Sequence, residues 1–110
     1  MEIVQRQWGR YYVFYSEENY KVKKLIISPG KSLSMQRHFK RNELWQVVSG
    51  EGEFYCSIDG CSESIKVSPF FHIKIESEEW HQVKNTGIEL LVIIEIQTGI
   101  CEESDIERRN

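Results

Sequence analysis

Three residues able to ligate a metal fall at unusual intervals in one short segment. Gln36, His38 and Glu43 lie between Gly30 and Gly50 as G-x5-Q-x-H-x4-E-x6-G. An amide oxygen, an imidazole and a carboxylate make an incomplete shell for a divalent cation, so a fourth ligand is needed from elsewhere. Of the other histidines, His81 in EEWHQVKN is followed by a short polar step and a turn, as a strand-end ligand would be, and is the candidate. His72, inside the aromatic run FFHIKI, reads instead as a packing or hydrogen-bonding residue. Such a mixed nitrogen and oxygen set suits Zn(II), Mn(II), Fe(II), Co(II) or Ni(II). Zinc is taken as the first expectation.

The intervals suit no helix, but they suit two strands joined by a turn. Residues i and i+2 of a strand share a face, which puts Gln36 and His38 on one side and Leu33 and Met35 on the other. After a turn around Lys40-Arg41-Asn42, a return strand carries Glu43, Trp45 and Val47 on one face. Such a hairpin brings the three candidate ligands to one spot, and a small barrel is the natural enclosure for it. The rest of the chain reads the same way. YYVFY, YKVKKLIIS, ELWQVVSG, GEFYCSI, SIKV, FFHIKI, HQV and ELLVIIEIQ are strand-like, with turn signals at Pro29-Gly30, Gly50-Glu51-Gly52, Asp59-Gly60, Ser68-Pro69 and Asn85-Thr86-Gly87. The expectation is an all-β sandwich or barrel. Only Ser104-Asp105-Ile106-Glu107 hints at a helix, as a capping box, and it reads equally as a frayed polar end.

The 110 residues suit a single domain spanning 1–110, with 40% hydrophobic and 28% charged residues. A net charge of -3 argues against a nucleic-acid surface, so an anionic ligand must find local cations. The opening MEIVQRQWGR has no apolar signal region, and no apolar run reaches the length of a membrane span. Cys56, Cys61 and Cys101 form an odd set without a C-x2-C pair and read as reduced thiols. A two-residue hairpin at Asp59-Gly60 would pair Cys61 with Ile58 rather than with Cys56. A cytoplasmic location is expected.

The Gly30–Gly50 segment resembles the first motif of the cupins, with Gln36 where the motif has its first histidine. His81 and Asn85 match the H-x3-N that ends the second motif, whose proline and glycine are Glu76 and Glu78 here. The resemblance implies a double-stranded β-helix, or jelly-roll barrel, with Gln36, His38, Glu43 and His81 as metal ligands. A closer resemblance is to the type II mannose-6-phosphate isomerases. It is carried by Arg6-Gln7-Trp8-Gly9-Arg10-Tyr11, by YKVKKLIISPG, by QRHFKRNELWQVVSG, and by Ile94-Glu95-Ile96-Gln97-Thr98-Gly99 with Asp105-Ile106. Two histidines of that family's pattern are Lys40 and Leu44 here, whereas Arg41 keeps its arginine.

That resemblance implies a metal-dependent aldose–ketose isomerase acting on a small-molecule sugar phosphate, most simply mannose 6-phosphate to fructose 6-phosphate. Moving a proton between C1 and C2 requires a Lewis acid at the sugar oxygens and a base. Arg41 is expected to bind substrate or stabilise charge, with Lys40 as a weaker helper. No base is identified, although Glu43 could serve if it were not fully committed to the metal. Trp8, Tyr11, Tyr12 and Trp45 are read as core or as the lining of a sugar site. The alternative is a noncatalytic cupin that binds a sugar or nucleotide sugar or supports a partner enzyme, and a third reading is an iron dioxygenase. A homodimer is expected, without nucleic-acid or membrane partners.

Overall fold

The structure is a computed structural model and describes residues 1–58 and 61–109. Its strands are β1 (Glu2–Arg6), β2 (Gly9–Ser16), β3 (Tyr20–Ile27), β4 (Met35–Arg37), β5 (Arg41–Ser49), β6 (Gly52–Ile58), β7 (Cys61–Val67), β8 (His72–Ile75), β9 (Trp80–Asn85), β10 (Leu91–Gly99) and β11 (Glu107–Arg109). No helix occurs among the described residues, and therefore none long and apolar enough to cross a membrane. One sheet runs β1-β2-β3-β10-β5-β8 and the other β11-β4-β9-β6-β7, with antiparallel neighbours throughout. The two sheets face each other as a jelly roll, the fold class expected from the sequence.

The strand-like runs fold as read, but β4 and β5 do not form the expected hairpin. They join different sheets, so the turn between them crosses from one sheet to the other, and two further strands appear at the chain's ends. EIVQR forms β1 against β2. The tail forms no helix: residues 103–104 turn, and Glu107–Arg109 pairs with Met35–Arg37 as β11. Here Asp105 binds Phe39 and Lys40 across the barrel rather than capping its own segment, so long-range partners override the local capping signal. Ile58 does pair with Cys61, while the Asp59-Gly60 turn lies outside the described residues. Cys56 and Cys101 are free thiols.

The inward rows of three adjacent strands change character at the same depth. In β3 the row runs Ile27, Leu25, Lys23, Lys21; in β5 Val47, Trp45, Glu43, Arg41; in β10 Leu91, Ile93, Glu95, Gln97. All twelve are buried. Register aligns them, with Leu91 opposite Ile27, Glu95 opposite Lys23 and Trp45, and Gln97 opposite Lys21 and Glu43. Across the gap, Phe54, Val67 and Val83 complete the apolar end, which forms one cluster with Leu33 and Ile75. The sandwich therefore has a dry half and a polar half. At the polar end β10 finishes on Gly99, at φ 120°, where a Cβ would meet the Lys40 carbonyl oxygen at 2.5 Å. Only glycine lets β10 approach β5 beside Arg41.

The second motif's turn forms here without the motif's glycine. Glu78 adopts φ 70°, a left-handed conformation that disfavours a side chain. It is held there because its N–H donates to the His38 carbonyl, while Ser77 N–H donates to Asn42 Oδ1 at 2.8 Å. Glu78→Gly relieves the steric term at some cost in unfolded-chain entropy, so it is expected to stabilise the protein by about 0.5–1 kcal/mol. Urea unfolding should show a higher midpoint with an unchanged slope; a lower midpoint would contradict the strain assigned to this turn.

Candidate functional site

The polar half of the sandwich converges on Glu43. Strand parity points Arg41, Glu43 and Trp45 inward from β5, while His38 follows β4 and His81 is the second residue of β9. Ligand atoms of His38, Glu43 and His81 all lie within 4.8 Å of one another, and all three residues are buried. His38 Nε2 is 3.3 Å from Glu43 Oε2, and His81 Nε2 is 3.7 Å from Oε1. Trp45 Nε1 donates to Oε1 at 2.9 Å and packs edge-on against the His81 ring, with centroids 5.5 Å apart.

Backbone carbonyls select the tautomers. His38 Nδ1 is 2.7 Å from the Asp105 carbonyl and His81 Nδ1 is 3.0 Å from that of Glu79. Each Nδ1 must donate there, which leaves each Nε2 with a lone pair directed at Glu43. His81 Nε2 has no hydrogen-bond partner although it is buried. Burial, reinforced by Arg41, lowers the His38 pKa to about 4, and burial lowers that of His81 in the same direction. Both rings are therefore neutral near neutral pH. Two neutral imidazoles, one with an orphaned nitrogen, and a carboxylate fit a divalent cation, and carbonyl-anchored Nδ1 atoms are the usual support of histidine ligands.

Gln36, the fourth candidate, is half-buried, lines the same cavity and stands opposite His81 in the β4–β9 register. Arg41 is also in place. Its Nε donates to Glu43 Oε2 at 2.9 Å, its Nη1 to the Glu102 carbonyl at 3.0 Å, and its Nη2 lies 3.3 Å from His38 Nε2. Lys40 is not. Its side chain is 55% exposed, 4.0 Å from Glu102, and outside the cavity lining, because its position in the turn directs it to solvent. Leu44 is also exposed, on the outer face of β5. His72 is exposed on β8, so its packing role is not realised.

The cavity encloses about 810 Å³. Trp8 and Tyr11 line it, stacked at 6.5 Å, whereas Trp45 belongs to the core and Tyr12 lies against Lys24 on the outer side. Several polar residues here were not singled out from the sequence. Glu95 lines the cavity and accepts from Gln97 Nε2 at 2.9 Å; burial, with the Glu43 carboxylate as second cause, raises its pKa to about 7. Their signal was parity, since Glu95 and Gln97 continue the inward row of Leu91 and Ile93. Asp105 accepts N–H bonds from Phe39 and Lys40 at 3.0 and 2.9 Å, and Glu103 bridges Lys23 and Lys21 at 2.6 and 3.2 Å. The tail thus orients His38, Arg41 and Lys23 together.

A family model described as mannose-6-phosphate isomerase C-terminal matches residues 1–110. The chain is 36% identical over 104 residues to a putative mannose-1-phosphate guanylyltransferase of Vibrio cholerae serotype O1, covering 94% of this chain and 22% of that protein. It therefore spans about a fifth of that relative's length. Among solved structures, a Klebsiella pneumoniae protein with a double-stranded β-helix domain is similar, with a TM-score of 0.78, 15% identity, and coverage of 99% of this chain and 85% of that one. Bacillus subtilis oxalate decarboxylase, a protein with Mn(II) centres, matches with a TM-score of 0.85 and 18% identity, over 98% of this chain and 30% of that one. At these identities the two structures establish the cupin fold alone.

The anchorage of the tail has a pH signature. Burial acts to raise the Glu103 pKa, but the hydrogen bond and charge of Lys23, then those of Lys21, outweigh it and hold the carboxyl down at about 2. A depressed carboxylate stabilises the fold above its unfolded pKa, and that contribution disappears as pH falls through the folded value. The stability difference between the native protein and Glu103→Gln should be constant above about pH 5, shrink below pH 4.5 and vanish near pH 2. Denaturant midpoints of both proteins measured along that range test it; a difference independent of pH would remove the assigned pairing.

Proposed function

This chain belongs to the mannose-6-phosphate isomerase C-terminal family, and we propose that it is a metal-dependent aldose–ketose isomerase of a sugar phosphate, interconverting mannose 6-phosphate and fructose 6-phosphate. The observation that carries the reading is the convergence of the two Nε2 lone pairs on the Glu43 carboxylate beside a cavity large enough to admit a sugar phosphate. His38, Glu43 and His81 would hold the cation, with Gln36 as the fourth ligand. A divalent ion there supplies a Lewis acid that polarises the sugar's carbonyl and hydroxyl oxygens.

The chain's own groups supply the rest. Arg41 uses three donor directions on Glu43, Glu102 and His38, and its remaining N–H groups are available to negative charge developing on a sugar oxygen. Glu95 lines the cavity without belonging to the ligand set, and is the carboxyl that would carry a proton between C1 and C2. Trp8 offers an apolar face to the sugar ring, while the Tyr11 ring beside it carries Lys23 and Arg6. Replacement of the family's two histidines by Lys40 and Leu44 leaves this lining unchanged, because both side chains face solvent. That observation favours a working enzyme over the noncatalytic reading.

Protein stripped of metal and refilled with Zn(II), Mn(II), Co(II) or Fe(II) should turn over mannose 6-phosphate only when filled. His81→Ala should lose both metal and turnover. Arg41→Ala should retain metal within about tenfold in affinity while turnover falls at least about a hundredfold. Turnover unaffected by stripping, or an Arg41→Ala protein as active as the native one, would defeat the assignment.

A further inference from the structure

A sugar phosphate needs a cation for its phosphate, and the cations nearest the ligand atoms are engaged elsewhere. Lys40 points to solvent. Arg41 is divided among Glu43, Glu102 and His38, and Lys23 is held by Glu103 at 2.6 Å. The remaining cavity-lining cations are Arg6 on β1, which lies over the Tyr11 ring at 5.5 Å, Lys31 in the β3–β4 connection, and Arg108 and Arg109 on β11.

Register singles out Arg108. It stands opposite Gln36 in the β11–β4 pair, and Gln36 stands opposite His81 in the β4–β9 pair. Directly opposed residues of antiparallel strands present their side chains to the same face. Arg108, Gln36 and His81 therefore form one row across the inner face of the second sheet, with Arg108 at its outer end. Two interstrand spacings, roughly 10 Å, separate the backbones of Arg108 and His81. Of the neighbours of Arg108, Glu107 bonds Arg37 at 3.2 Å, and Arg109, which also lines the cavity, is engaged over the Trp80 ring at 4.3 Å. Arg108 itself is exposed and lines the cavity, so its guanidinium fork is presented at the mouth.

We propose that Arg108 is the phosphate-binding residue of this site, with Lys31 as a flanking cation, and that the row Arg108–Gln36–His81 sets the direction in which a sugar phosphate lies. The phosphate sits at the β11 edge and the C1–C2 end lies over His38, Glu43 and His81. A guanidinium offers a phosphate two parallel N–H bonds, which fixes orientation as well as charge. This subsite rests on the sugar-phosphate reading for its ligand, yet it is tested separately from catalysis.

The test is calorimetric titration of metal-loaded protein with mannose 6-phosphate, mannose and inorganic phosphate, in the native chain and in Arg108→Gln, Arg108→Lys and Arg37→Gln. Arg108→Gln should weaken mannose 6-phosphate and inorganic phosphate by about ten- to a hundredfold without changing metal content. Arg108→Lys should fall between the two, and Arg37→Gln, altered on the outer face of the same strand pair, should stay within about twofold of native. Native-like affinity for mannose 6-phosphate in Arg108→Gln would overturn the subsite, as would a native protein that binds mannose 6-phosphate no better than mannose. Arg108-dependent phosphate binding without turnover would uphold the subsite and overturn the isomerase. Turnover in Arg108→Gln with an unchanged KM would do the reverse.

Discussion

A carboxylate at 2% exposure cannot stand alone, and Glu43 is surrounded accordingly. Its oxygens accept from the Arg41 guanidinium and the Trp45 indole N–H, while two neutral imidazole nitrogens turn lone pairs toward it, a set that a cation would complete. Burying a charged group costs several kcal/mol unless partners replace its water. Each partner is fixed in turn by something farther out: His38 by the Asp105 carbonyl, His81 by that of Glu79, Arg41 by that of Glu102. The polar half of the sandwich is the set of groups that makes this one carboxylate tenable.

The dry half gives that arrangement its rigidity. Trp45 belongs to both halves, for its ring packs edge-on against Phe54 while its N–H serves Glu43. The alternation that buries Val47 and Trp45 also determines that Glu43 and Arg41 point inward, so the site shares its register with the core. A slip of one residue in β5 would turn the whole row to solvent. Site and core are one specification of strand register.

This explains what could be read in advance. Gln36, His38 and Glu43 could be grouped in advance because they fall within eight residues, although β4 and β5 join different sheets and the turn between them bridges the sandwich rather than closing a hairpin. His81 shares their end of the sandwich because it lies near the start of β9, not at a strand end before a turn. The strand content was legible from local alternation, and the cupin fold from the resemblance that the two motifs carry. Glu95 and Gln97 were open to the same parity argument, yet their strand reads first as a hydrophobic run. Lys40 points to solvent because it lies in the turn just before β5, where adjacency to Arg41 in the chain says nothing about direction. Asp105 and Glu103 could not be found locally, since their partners are Phe39, Lys40, Lys21 and Lys23; the tail's capping signal described a helix that those distant bonds preclude.

The bond from His38 to the Asp105 carbonyl spans 67 residues of chain. Its place in the sequence makes the centre late as well as buried. Segment 36–43 carries three of the four candidate donor groups, but the acceptor that turns the His38 ring belongs to the stretch leading into β11. Closing an interval of that length carries a loop entropy that only the assembled sheets can offset. Non-local bonds of this kind follow, rather than seed, the pairing of strands. The donor segment is therefore locally encoded but globally completed: a chain halted before residue 105 would possess the ligand side chains without the bond that orients His38.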